Sequence, residues 1–325
     1  MGLFFILTFS LVFATALGDR GRNVVYWGQN ANDTRLSMYC TARAGIDMVV
    51  LSFLSVFGNG QTIASGSFGP CSISSFSEPQ GCEELALDIQ TCQNNNIPVI
   101  ISVGGGGGSY SLQSQPEAQL IGQNLWEAYG NTTGTGTVPR PFGNTSVNGW
   151  DFDIENAIGS QYYPFMISML RSYFIADPDN TYYITGAPQC PIPEPSMQTI
   201  IGNSTFDYLW VQFCNNPTCP HPSQLSYDSW VNLIKDTPSA GAKIFLGLPA
   251  SPLAANGYPT GSQYYLDPIS LASVLRTYQN DPAWGGVMLW DAGLSTNNTN
   301  NNCTYAQEVQ SILKTGVPCT STENA

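Results

Sequence analysis

Short β-prone apolar runs recur along the chain: Asn23–Trp27, Met48–Phe53, Pro98–Val103, Val147–Asn156, Tyr182–Ala187, Tyr208–Phe213, Lys243–Leu248 and Gly286–Leu289. Met48–Phe53 reads Met-Val-Val-Leu-Ser-Phe, apolar on both faces as strands of a parallel sheet are. Between most of these runs the apolar residues follow a helical period, over Glu84–Cys92, Glu117–Ala128, Tyr163–Phe174, Tyr227–Ile234 and Pro268–Gln279. Eight strands alternating with helices predict an α/β chain folded as a single-domain (β/α)8 (TIM) barrel rather than a doubly wound sheet. Gly58 to Gly81, rich in Gly, Ser and Pro, reads as an ordered loop pinned by Cys71 and Cys82. No Ser/Thr-rich linker, small second domain or long repeat interrupts the pattern.

The run Val147–Asn156 differs from the others: Asp151, Asp153 and Glu155 alternate with Trp150, Phe152 and Ile154. Successive strand side chains point to opposite faces, so the acids share one face and the apolar residues the other. Two readings are open. The acids face water on a half-exposed strand, or the apolar face packs on surrounding helices while the acids point into a barrel. Crowded carboxylates at low dielectric cannot all ionise cheaply, so at least one keeps a proton and becomes a general acid near neutral pH. Barrel enzymes carry their chemistry at the ends of strands, which places Glu155 at the mouth. Tyr26 and Gln29, Phe53, Gln212 and Trp290 present aromatic or amide groups at other strand ends. The run Gly104–Gly108 lacks the lysine and spacing of a phosphate cradle, and reads instead as backbone that approaches a bulky ligand closely.

Composition narrows the chemistry. The apolar run Met1–Phe13, followed by small residues to Gly18, is too short to span a bilayer and reads as a secretory signal over residues 1–18. The barrel is expected over 19–316, with a short tail over 317–325. Six Asn-x-Ser/Thr sites (Asn32, Asn131, Asn144, Asn203, Asn297, Asn302) and nine cysteines suit a secreted, disulfide-bonded glycoprotein. A net charge of −13 with only 10 Lys and Arg argues against nucleic acid and anionic membranes as partners. Charged residues make up 10% of the chain, and the abundant amides, hydroxyls and aromatics suit neutral, hydroxyl-rich ligands such as sugars. The single histidine, His221, rules out a multi-histidine metal site and disfavours a Ser-His-Asp triad. Carboxylates are therefore the expected agents, with no metal or cofactor.

The acidic strand resembles the DxxDxDxE signature of glycoside hydrolase family 18. Seven blocks, in order, resemble those of its plant-type, class III (hevamine-like) chitinases. They are Tyr26–Asn30, Phe57–Gln61, Ser102–Gly106, Ala187–Pro191, Trp210–Phe213, Phe245–Pro249 and Gly286–Trp290. The resemblance implies retaining hydrolysis of β-1,4-linked N-acetylglucosamine polymers, with chitin or its oligosaccharides as partner and the chain acting as a monomer. Glu155 would be the acid, while Asp153 would hold the substrate acetamide and share a proton with Asp151. Tyr26, Gln29, Phe53, Gly104, Gly105, Gln189, Gln212, Cys214, Asn215 and Trp290 would contact sugar, with Trp290 as the floor. It also implies the bridges Cys40–Cys92, Cys71–Cys82 and Cys190–Cys219. Cys303 and Cys319 lie outside the family pattern and are expected to pair, leaving Cys214.

Two positions depart from that pattern. Cys214 stands where the family has a tyrosine that donates to the acetamido oxygen, and a thiol is a shorter, weaker donor. Asn148 stands where the signature begins with aspartate, and an amide cannot share a proton. Two functions thus stay open: a working, slowed endochitinase, or a chitin-oligosaccharide-binding protein with little turnover. A storage or structural role is disfavoured by the intact Glu155.

Overall fold

The computed structural model describes residues 20–31, 33–75, 78–219 and 225–320. The expected signal segment, Asn32 and His221 lie outside the described residues. Eight strands form the barrel: β1 (Arg22–Trp27), β2 (Met48–Gly58), β3 (Val99–Gly104), β4 (Gly149–Asp153), β5 (Tyr183–Gly186), β6 (Tyr208–Gln212), β7 (Lys243–Pro249) and β8 (Trp284–Trp290). Each pairs in parallel with the next, and β8 pairs with β1 to close the ring. The fold is thus the (β/α)8 barrel that the alternation predicts.

Local sequence explains where the outer helices begin. Ser114 caps Gln115–Tyr129 by accepting from the Glu117 N–H, and Asp267 caps Pro268–Tyr278 through the N–H groups of Ile269 and Ser270. The terminal helix Tyr305–Thr315, absent from the periodicity reading, opens on a Thr304/Gln307 capping box and closes on Gly316 in the left-handed region. The Cys303–Cys319 bridge and the fully buried Glu308, which accepts from the Cys319 N–H at 2.6 Å, tie the end of the chain to it.

Apolar side chains form two layers. Val24, Met48, Val50, Ile100, Phe245 and Met288 belong to the cluster inside the barrel, and a larger cluster fills the space between strands and helices. The acidic strand divides between these layers. Trp150 packs outward on Trp126 and Phe174, with centroids 5.8 and 5.7 Å away, and Phe152 meets Tyr163 and Phe206 edge-on. The strand is buried along its whole length, so the reading in which the acids face water is wrong.

The Gly58–Gly81 stretch departs from expectation. β2 runs five residues past Phe53, and Gln61–Phe68 folds back antiparallel along it, followed by Cys71–Ile73. The stretch is therefore a hairpin above the barrel rather than a loop. Its small, polar residues hide the strand pattern, yet one of them makes the pairing possible. A Cβ on Gly66 would lie 2.0 Å from the Phe53 carbonyl oxygen. The four bridges are Cys40–Cys92, Cys71–Cys82, Cys190–Cys219 and Cys303–Cys319, and Cys214 is a free thiol. Among the described residues, no helix is long and apolar enough to cross a membrane.

Trp150 carries the packing of the acidic strand, but its indole N–H is buried without an acceptor among the described residues. Trp150→Ala should therefore destabilise the protein by about 3–5 kcal/mol, read as a lowered urea midpoint. Trp150→Phe, which fills most of the site and loses no hydrogen bond, should cost clearly less.

Candidate active site

Strand register builds the site from its floor upward. Asp151 pairs in register with Ser102 on β3 and Thr185 on β5, so both hydroxyls point inward beside it. Ser102 Oγ donates to Asp151 Oδ2 at 2.6 Å, and Thr185 Oγ1 donates to Oδ1 at 2.7 Å. From across the barrel, the Tyr26 hydroxyl donates to Oδ2 at 2.7 Å and Trp210 Nε1 to Oδ1 at 2.9 Å. Each oxygen of this fully buried carboxyl thus takes two neutral donors. Burial pushes its pKa up while the four hydrogen bonds pull it down. Burial and the adjacent Asp151 and Asp153 charges hold the Tyr26 phenol well above its ordinary range, so it remains a donor.

Asp153 lies one inward position higher and has less support. Gln212 Nε2 donates to its Oδ1 at 3.0 Å and to the Ala187 carbonyl at 2.9 Å, using both amide hydrogens. Burial, then the charges of Glu155 and Asp151, raise the Asp153 pKa well above the carboxylate range. Burial raises Glu155 as well, with the nearby Gln212 amide opposing it. Glu155 and Asp151 are thus both charged neighbours of Asp153, and Asp151 has its acceptor positions filled by four neutral donors.

Above the carboxyls is a cavity of about 280 Å³. Tyr26, Phe53 and Trp290 form one wall, with Phe53 and Trp290 stacked at 5.8 Å and 18°. Gln212, Cys214 and Asn215 line the other side together with Ala187, Leu248 and Met288. Burial, followed by the charges of Glu155 and Asp153, pushes the Cys214 thiol up to about 12, so it carries its proton. Among the described residues, no group of three or more His, Cys, Asp or Glu side chains could hold a metal ion.

Not every residue expected to touch a ligand lies on this cavity. Gln29 Nε2 donates to the Ser52 and Ser67 carbonyls at 2.7 and 3.2 Å, tying the end of β1 to β2 and the hairpin. Gln189 lies behind the wall, where its N–H donates to Glu194 at 3.1 Å and its side-chain oxygen accepts from Asn216. In the glycine run, Gly104 and Gly105 approach protein, whereas Gly107 faces open space. A Cβ on Gly104 would sit 2.1 Å from the Asp153 carbonyl oxygen, and one on Gly105 would sit 3.0 Å from the Phe53 ring. Of this run Gly106 reaches the cavity, where a Cβ would stand 2.9 Å from Glu155 Oε2. Asn148 lies below the cluster, its side-chain oxygen accepting from the Val99 N–H and from Gln93, both at 3.0 Å.

The sequence reading missed Ser102, Thr185 and Trp210 as ligands of Asp151. The inward parity of a lone hydroxyl in the apolar runs of β3 and β5 is the signal that could have found the first two.

Residues 22–263 match the family model described as glycosyl hydrolases family 18. The chain is 53% identical over 314 residues to Endochitinase 2 of Metarhizium robertsii, covering 92% of this chain and 75% of that one. It is also similar in structure to the xylanase and alpha-amylase inhibitor protein XAIP-II of Scadoxus multiflorus. There the TM-score is 0.72 at 30% identity, over 89% of this chain and 97% of that one. The ICChI chitinase of Ipomoea carnea gives a TM-score of 0.69 at 28% identity, over 91% and 100%. The plant-type resemblance is therefore one of architecture, while the 53% identical relative is fungal. Given a match that spans most of the barrel, including its acidic strand, the chain belongs to the glycosyl hydrolases family 18.

Proposed function

We propose that this chain is a chitinase that hydrolyses β-1,4-linked N-acetylglucosamine chains with retention, the substrate's own acetamido group acting as nucleophile. One observation carries the reading: a half-exposed carboxyl, Glu155, stands with the buried Asp153 on the wall of a cavity faced by Trp290, and burial raises both. Glu155 gives its proton to the glycosidic oxygen as the bond to the anomeric carbon breaks. The acetamido carbonyl oxygen bonds to that carbon, giving an oxazolinium ion with its N–H held by Asp153. Water then attacks the same carbon from the opposite face, Glu155 takes the water's proton, the bond to the acetamido oxygen breaks to restore the acetamide, and the product keeps its configuration. No second carboxylate nucleophile is needed, in contrast to the usual two-carboxylate scheme. Trp290 supplies the apolar platform beneath the reacting sugar, beside Tyr26 and Phe53.

The protonated thiol of Cys214 favours a second reading, a chitin-oligosaccharide-binding protein with little turnover. A thiol is a poor donor toward the charge that develops on the acetamido group. Under either reading, residues 1–18 direct export and the barrel is the working unit. The exposed sites at Asn131, Asn144, Asn203, Asn297 and Asn302, and the four bridges, suit an extracellular protein.

Glu155→Gln should lower kcat on chitin hexasaccharide by roughly 10²–10⁴-fold while calorimetry still detects binding. Tight binding without any cleavage by the wild type establishes the second reading instead. Cys214→Tyr should raise kcat by about ten- to a thousand-fold, and an unchanged kcat removes the thiol as the limit. The pH dependence follows from the raised carboxyls. The acid must hold its proton, so kcat/KM should stay high on the acid side and fall as pH rises through the raised value of the pair. Stability has the same sign. Asp153 and Glu155 bind protons more tightly folded than unfolded, so their contribution is complete below about pH 4 and is lost as pH rises through the folded values. The unfolding free energy of wild type relative to Asp153→Asn should decline over that window, and a flat difference would place the proton elsewhere.

A further inference from the structure

The ladder between β3 and β4 ends at the pair Gly104 and Asp153, and its last rung is the Gly105 N–H donating to the Asp153 carbonyl at 2.8 Å. Past that point β3's chain turns away through Gly106–Gly108, which leaves room for the Glu155 carboxyl over Gly106. The Glu155 N–H therefore has no neighbouring strand to bond. A side chain takes that place: the Tyr110 hydroxyl accepts from the Glu155 N–H at 2.9 Å. The same hydroxyl is within donating distance of the Gly105 carbonyl at 3.2 Å and of the Asp153 carbonyl at 3.4 Å. The Tyr110 carbonyl in turn accepts from Asn156 Nδ2 at 3.1 Å, so Tyr110 holds the chain on both sides of the Glu155 side chain.

The phenol is itself rigidly held. Ser109–Ser111 pairs with the extension of β2, placing Tyr110 opposite Phe57, and the two rings stack at 5.2 Å and 7°. The ring is buried, and burial pushes the phenol above its ordinary range, so it keeps the proton it donates.

We infer that Tyr110 is a positioning residue. Its hydroxyl replaces the missing rung after Asp153 and fixes the main chain of Glu155, so that the carboxyl stands over the cleft. The catalytic part of this inference rests on the proposed hydrolase reading, while the anchoring part does not. A neighbouring tyrosine provides the control. Tyr163 lies in the same aromatic cluster, edge-on to Phe57 and Phe152, and its buried hydroxyl has no hydrogen-bond partner among the described residues.

The test compares full-length wild type, Tyr110→Phe and Tyr163→Phe by two readouts. The first is kcat, KM and the pH profile of kcat/KM on chitin hexasaccharide. The second is amide hydrogen exchange of the segment containing Glu155. Tyr110→Phe should lower kcat at least tenfold with KM within about threefold. It should also shift the alkaline limb of the profile and speed exchange at Glu155, while Tyr163→Phe changes none of these. Equal losses in both variants, or wild-type exchange and kcat in Tyr110→Phe, overturn the inference. If wild type shows no turnover but Tyr110→Phe alone still speeds exchange at Glu155, the anchoring holds and the hydrolase reading falls.

Discussion

The site depends on how one buried carboxyl is accommodated. Asp151 is fully buried, and its oxygens meet hydroxyl and indole donors from β1, β3, β5 and β6. A carboxylate stripped of water is tolerated when hydrogen bonds replace its hydration. Here dipoles from four separate strands do so, and each reaches Asp151 only when its strand is in register. Their effect continues up β4. Asp153 and Glu155, the two carboxyls that line the cavity, stand on the strand whose lower end these donors fix.

The close backbone contacts around β4 serve the same end. Gly104 lets β3 approach the end of the acidic strand, Gly105 makes room for the Phe53 ring, and Gly106 leaves space for the Glu155 carboxyl. Where the main chain must turn aside to make that space, a tyrosine hydroxyl closes the gap. Side-chain and main-chain hydrogen bonds together give the half-exposed Glu155 the constraint that a buried residue gets from packing.

Much of this was legible in the sequence, because strand periodicity is local. Alternation within Val147–Asn156 separates the outward aromatics from the inward acids, and the eight apolar runs give the barrel. The hairpin after β2 was not legible, since strands built from Gly, Ser, Thr and Gln carry no apolar period. Gln29 and Gln189 show a different limit. A polar side chain at a strand end can face the cavity or tie loops behind it, and only the tertiary arrangement decides. Gln212, at the end of β6, faces the cavity, whereas Gln29, two residues past β1, ties loops. Tyr110 was invisible for a third reason: its partner is the backbone N–H of a residue 45 positions away, and no local pattern encodes that contact.

The disulfides have a consequence for how the ring is sealed. Their partners are 52, 11, 29 and 16 residues apart, so each cross-link closes a limited stretch of the chain. None bridges the seam where the last strand meets the first. That seam is held without covalent help, by the β1–β8 pairing, by Trp284 Nε1 donating to the Arg20 carbonyl at 2.8 Å, and by Asn23 Nδ2 donating to the Ala306 carbonyl at 2.9 Å. The covalent framework thus braces individual loops and the tail. Circular closure, and the mutual placement of the first and last strands that it secures, rests on reversible contacts between the two ends of the polypeptide.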